Sequence, residues 1–248
     1  MNEDKLSELL NDPLLKDYLA LNDRLIRLVA SRIAAESESV KTKLRENEPI
    51  TTEPANILAL CSRLMQVAEL YSMLTNVTAD KIYPEVIEIS DFLAVFTDKC
   101  SKLLEGVCCF EYKRKDKLFA DGSRDVLTYI MLSYVRQSVL DGASSILFEY
   151  GVSDGDCVIT AVSKKKKTSE YEHFGDFQTV YRDDIMRTLA ARIGAVYESD
   201  ENGIKLTIKE KRNISEAELR APRREYEASL FSEYNIMLGD LIKGINDI

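Results

Sequence analysis

One histidine, five cysteines and a run of four lysines are the residues of this 248-residue chain whose types could support nucleophilic, metal-binding or phosphate-binding chemistry. The histidine, His173, is single, so no multi-histidine metal site can form, and any imidazole-dependent step rests on one position. Cys61, Cys100, Cys108, Cys109 and Cys157 are odd in number and show no CxxC spacing. Neither a disulfide framework nor a zinc site is suggested, and buried free thiols are expected. No metal and no cofactor is expected from these residue types. Lys164, Lys165, Lys166 and Lys167 could grip phosphates or an acidic partner, but a solvated loop is the plainer reading of such a run and the preferred one.

The charge balance narrows the partners. Lys and Arg number 33 against 42 Asp and Glu, a formal charge of -9, which argues against nucleic acid because duplex affinity comes mainly from cations neutralising phosphates. An apolar fraction of 45% with 30% charged residues is ordinary globular composition and excludes disorder and collagen. The start, MNEDKLSELL, lacks the basic opening and apolar core of a signal peptide. No run of about 18 apolar residues occurs, so no membrane span is expected, and the chain reads as cytoplasmic.

The elements that must position these residues follow from periodicity. Asp12-Pro13 reads as an N-cap and first helical residue, and Leu14, Tyr18, Leu21, Leu25 and Leu28 then recur at spacings of four and three, with Val29 and Ile33 carrying the stripe on. The polar ESESVKTKLRENEP reads as the helix end and a turn. A second helix starts near Thr52, with Ile57, Leu60, Leu64, Val67, Tyr71 and Leu74 spaced 3, 4, 3, 4, 3. Two such seams joined by a short loop predict an antiparallel hairpin. A lone hairpin cannot cover both stripes, so pairing with a second copy into a four-helix bundle is expected.

After Tyr83-Pro84 the pattern changes. VIEIS predicts a strand, Asp91 to Leu104 a helix, VCCFEYK a strand, ADGS a turn, and Ser123 to Leu140 a helix. SSILFEYG and DCVITAVS predict a hairpin turning at Asp154-Gly155. KKKKTSEYEHFGDFQTVYRDD reads as a loop, Asp183 to Ile193 as a helix, and AVYES with GIKLTIKEK as a closing hairpin around DENG. The economical arrangement is an α+β sandwich with helices on one face of a mixed sheet. Beyond Pro222, Tyr226, Leu230, Tyr234, Met237, Leu241 and Ile245 follow the period of one helical face. This tail is expected to pack on its own domain in preference to a partner. Three regions result: a dimerisation hairpin (1–82), the sandwich (83–212) and a C-terminal helical extension (213–248).

This order of elements resembles the core of a bacterial sensor histidine kinase, a dimerisation hairpin followed by an ATPase-like domain of the gyrase, Hsp90, histidine kinase and MutL type. RLMQVAELYSMLTNVTADKIYPEVIEISDFL is similar to the end of the second dimerisation helix, the linker and the first strand and helix of the catalytic domain. FADGSRDVLTYIMLSYVRQSV falls where those kinases carry the helix of their Asn motif, and DDIMRTLAARIGAVYESDENGIKLTI resembles their last helix and hairpin. The likeness covers about residues 10 to 210 and lies in ordered pattern more than in signature residues.

The chemistry the resemblance implies is missing. The family needs a phosphoacceptor histidine on its first helix, because an imidazole nitrogen is nucleophilic at neutral pH. Asn22-Asp23 fall near that position, and His173 lies in the lid region instead. The family's magnesium-binding asparagine matches Gln137, and a preceding asparagine position matches Ser133. Moving the carboxamide oxygen out by one methylene suits octahedral Mg²⁺ poorly. Where the family places an aspartate to accept from the adenine amino group, this chain has Lys164, which carries donors and no acceptor. Of the glycine-rich lid only Gly175 is present, which removes the close backbone approach that phosphate cradles use.

The resemblance therefore implies a catalytically inactive dimeric scaffold or regulator in two-component phosphorelay signalling, binding a response regulator receiver domain or a kinase. Asn22, Asp23, Leu25 and Ile26 are the candidate docking surface. The alternatives are a divergent nucleotide-binding ATPase with a rearranged pocket and a small-molecule-binding module in the emptied pocket.

Overall fold

The computed structural model describes residues 13–78, 85–113, 115–165, 182–201, 203–212, 214 and 232–241. They form two compact units, each described by itself: a helical unit holding the first two helices, and Ile82–Ile242.

In the helical unit, α1 (Pro13–Glu46) and α2 (Glu53–Thr78) form the expected pair of helices. The polar stretch read as a helix end is instead helical through Glu46. Its polar side chains find partners: Lys41 Nζ donates to Glu38 at 2.9 Å one turn away, and Asn56 Nδ2 of α2 donates to Glu36 at 3.2 Å. Asn47, in the left-handed region at φ 54°, ends α1 while Glu48 N–H donates to the Lys43 carbonyl at 2.9 Å. That is the six-to-one closure of a Schellman cap, which asparagine tolerates better than most residues. Val29 of α1 and Ser62, Gln66, Val67, Leu70 and Met73 of α2 are buried. The seam holds the expected positions Val29 and Val67 and departs from them at Leu28 and Tyr71, which are 57% and 49% exposed, with Leu70 buried beside Tyr71. A 3.6-residue helix drifts relative to a strict heptad, which moves the contact row by one residue.

Glu53 ties the two helix ends together. Its carboxylate pairs with Lys43 and accepts from the Thr51 N–H at 3.2 Å and from Ser39 Oγ at 3.4 Å. The Lys43 hydrogen bond, followed by its own backbone N–H, lowers its pKa to about 2. Because that value lies below the ordinary 4.5, the unfolded chain binds more protons between the two. This contribution to hairpin stability is therefore complete above about pH 4.5 and lost as pH falls toward 2. Circular-dichroism melts at pH 5 and pH 2.5 should show a smaller acid-induced drop in the helical transition for Glu53→Gln than for the parent chain.

The second unit is α+β. Its elements are β1 (Glu85–Glu88), α3 (Ile89–Leu103), β2 (Cys109–Tyr112), β3 (Phe119–Gly122), α4 (Arg124–Leu140), β4 (Ala143–Ser153), β5 (Asp156–Lys165), α5 (Arg182–Arg192), β6 (Val196–Ser199), β7 (Gly203–Lys209) and α6 (Glu233–Leu238), which runs into a 3₁₀ turn at Gly239–Leu241. A five-stranded sheet has the order β2-β4-β5-β7-β6, and β1 pairs with β3 in a separate two-stranded ribbon. The sheet is mixed, since β2 runs parallel to β4 while its other pairs are antiparallel. A parallel pair needs a crossover, and β3 with α4 supplies it.

Two expectations are corrected here. ADGS, read as a turn, contributes Ala120, Asp121 and Gly122 to β3, in register with Ile87, Val86 and Glu85. Ala120 is fully buried, and Gly122 lies against Ile87 and Leu127, so small residues that look like a turn in sequence are packing at close quarters. The lysine run likewise begins inside β5, where Lys164 and Lys165 pair with Ser145 and Ala143. The β4–β5 turn is as expected: Asp154 and Gly155 have φ of 54° and 86°, the two positive values a type I′ hairpin demands.

The core lies between the inner sheet face, with Ile146, Phe148, Tyr150, Ile159, Leu206 and Ile208, and the helices packed over it. Phe96 of α3 meets Phe148 edge-on at 5.5 Å. Arg124–Leu140 is buried nearly all round, from Val126 to Val139 with Gln137 half-exposed.

Candidate functional site

Ser123 caps α4, its Oγ accepting from the Val126 N–H at 3.5 Å. The helix then carries Ser133 and Gln137 one turn apart, which places them on one face. Ser133 is buried, and Gln137 is half-exposed with its Nε2 donating to Asp141 Oδ1 at 2.9 Å. Asp141 returns the contact through its N–H to the Gln137 carbonyl, also at 2.9 Å. The carboxamide is therefore engaged at the C-cap of its own helix.

From Asp141 the chain turns at Gly142, φ 83°, into β4. The opening residues of β4 pair with the end of β5, and Ser144 Oγ donates to the Lys164 carbonyl at 3.2 Å. Topology thus brings the C-terminal turn of α4 and the start of the lysine run to one end of the sheet. Lys164 itself is exposed. Gly175 and His173, and with them the expected lid, lie outside the described residues. Asn22, Asp23 and Leu25 fall within α1, in a stretch where side chains are outside the described set, and Ile26 is 43% exposed.

Among solved structures, the Acinetobacter baumannii histidine kinase AdeS superimposes with a TM-score of 0.55 at 8% identity, over 75% of this chain and 98% of that one. The chain therefore shares the fold of a histidine kinase core. Its α+β unit, with a mixed sheet, matches the fold of that structure. Weaker superpositions are found with the ATP binding domain of PrrB from Mycobacterium tuberculosis (TM-score 0.38, 14% identity, 51% of this chain and 96% of that one) and with the mycobacterial sensor histidine kinase MprB (0.40, 7%, 52% and 99%). No protein-family model and no curated protein matches the chain.

Within this histidine kinase-like fold, the described residues include no group of three or more His, Cys, Asp or Glu that could hold a metal ion. Thiol chemistry is also disfavoured at three positions. Burial pushes the Cys108 and Cys157 thiols up to about 12 and Cys100 well above its ordinary value, so none of them supplies a thiolate at neutral pH. The expectation of buried thiols does not extend to Cys109, which is exposed on β2, or to Cys61, which is half-buried. No helix among the described residues is long and apolar enough to cross a membrane.

The structure adds two residues that sequence reading passed over. Arg136, next to Gln137, is 4% exposed. Its Nη1 donates to the Met237 carbonyl at 2.9 Å and to Asp240 Oδ1 at 2.6 Å, and its Nη2 to Asp240 Oδ2 at 2.8 Å. The available signal was a guanidinium in the middle of an apolar helix; nothing in the sequence pairs it with an aspartate 104 positions on.

Proposed function

We propose that this chain is a catalytically inactive histidine kinase-like protein, a homodimeric scaffold or regulator in two-component signalling that binds a response regulator or a true kinase. Residues 1–82 act as the dimerisation hairpin, 83–212 as a degenerate ATPase-like domain and 213–248 as a helical extension. The observation that carries the reading is the state of the site inside a retained fold. Gln137 stands where the family's asparagine would, with its amide nitrogen held by Asp141, and Lys164 is exposed where the resemblance calls for an adenine acceptor. These groups fit Mg²⁺-nucleotide poorly: the glutamine oxygen sits one methylene farther out than asparagine's, and a lysine offers adenine no acceptor.

Dimerisation is supported by what the hairpin leaves uncovered. Leu28, Leu58 and Tyr71 stand 57%, 50% and 49% exposed, which is the expected state of a bundle half lacking its partner. Asn22, Asp23, Leu25 and Ile26 form the proposed docking surface for a receiver domain.

Calorimetric titration of the full chain with ATP and Mg²⁺ is expected to give no heat of binding up to millimolar nucleotide, and light scattering to give twice the chain mass. Micromolar affinity would shift the reading to a rearranged nucleotide site. A monomer would remove the scaffold's symmetric bundle.

A further inference from the structure

We propose that the groove between α3 and α4 is a helix-docking groove held in cis by residues 232–241, and that this latch opens as a unit of its own while the sheet beneath stays folded. The inference concerns the second compact unit alone and does not depend on the signalling role proposed above.

The groove has an aromatic end and a cationic end. Phe96 of α3 forms the first, lying between Phe148 of the sheet, which it meets edge-on, and Tyr234 of the latch, which it meets at a tilt, with centroid separations of 5.5 and 5.7 Å. Lys99, one turn along on the same helix, lies 4.8 Å over the Tyr234 ring. Arg136 of α4 forms the other end and grips Asp240 through both oxygens while capping the Met237 carbonyl. Between these anchors Ile236, Met237 and Leu238 are buried. The occupant is thus read as an amphipathic helical segment with an aromatic residue at one position, apolar residues two to four later and a carboxylate six later.

Three features make it separable. The helix Glu233–Leu238 has 6 residues, far below the roughly 12 to 15 at which an isolated helix becomes marginally stable in water. Its helical state is supplied by the groove and by the Ser232 cap, whose Oγ accepts from the Asn235 N–H at 3.3 Å. Neither sheet includes residues 232–241, so opening breaks no strand ladder. Finally, the anchor is an ion pair between residues over a hundred positions apart. On opening both charges return to water, which avoids the cost of leaving one of them buried. Sub-global opening is available to an element that is docked through side chains and shares no strand ladder with the sheet.

The test uses the full chain and hydrogen exchange read by mass spectrometry. Asp240→Asn is expected to accelerate exchange across residues 232–241 by about a hundredfold or more, to raise emission of a hydrophobic dye, and to leave β4, β5 and β7 unchanged. Met237→Asp, which buries a charge in the groove instead of weakening the anchor, should give the same pattern. A synthetic peptide of residues 231–242, added in excess to the Asp240→Asn chain, should quench the dye signal, and the same peptide carrying Asp240→Asn should not. Loss of protection in the sheet together with the tail would overturn the proposal, since the segment would then belong to the global folding unit. Unchanged exchange in the tail of both variants, or a peptide without effect, would overturn it as well.

Discussion

Gly203→Ala is expected to destabilise the α+β unit by at least about 3 kcal/mol. Gly203 opens β7 opposite Val162 of β5. A methyl group added there would overlap the Ala161 carbonyl oxygen and lie 3.1 Å from the Ala161 carbonyl carbon and 3.2 Å from Val162 Cα. All three are backbone atoms, so no side chain can swing aside, and relief requires β5 and β7 to separate. Gly203 is held in place from the other side too: its N–H donates to Asp200 Oδ1 at 2.9 Å and its carbonyl accepts from the Asp200 N–H at 3.0 Å. Against a total stability of about 5 to 15 kcal/mol for a domain, such a loss is large. The urea midpoint followed by circular dichroism measures it; a loss below about 1 kcal/mol would show that the strands yield. Gly239→Ala is the control of opposite sign. Gly239 has helical dihedrals of -61° and -32°, and no atom lies within 4 Å of the added methyl, so a gain of about 0.4 to 1 kcal/mol is expected.

Arg136→Ala is expected to cost about 3 to 5 kcal/mol in the same denaturation experiment if the tail stays docked, because the Asp240 carboxylate, 10% exposed, would keep its desolvation without its partner. If the tail detaches instead, Asp240 reaches water and the loss is capped at the free energy of docking. The double variant Arg136→Met with Asp240→Leu separates charge from packing. Replacing a buried pair by apolar residues of similar volume is often neutral or stabilising, so the double variant should recover most of the loss. A double-mutant cycle with no coupling between the two positions would contradict the geometry of the paired guanidinium and carboxylate.

Legibility in sequence followed the range of the interactions. The hairpin at Asp154-Gly155 was readable because two positive φ values are a local demand that few residues meet. The helices read out to within a few residues where their apolar stripes ran, and α1 overran its predicted end because Glu36 and Glu53 find Asn56 and Lys43 across the helix pair. β3 was missed because ADGS has turn composition, and its strand state depends on β1, some 35 residues earlier. At the candidate site, the loss of family chemistry at Gln137 and Lys164 is a matter of residue type and was legible without coordinates. That the Gln137 amide nitrogen turns to Asp141 is a matter of rotamer, which only packing decides.

By itself the sequence determined the α+β order, the hairpin ahead of it and the absence of a histidine from the first helix, since these rest on periodicity, turn chemistry and residue identity. Tertiary structure alone decided that Leu70 and not Tyr71 is buried, that ADGS is a strand, and that Arg136 closes on Asp240. Each of those depends on which distant segment removes a given surface from water, and no local pattern encodes that choice.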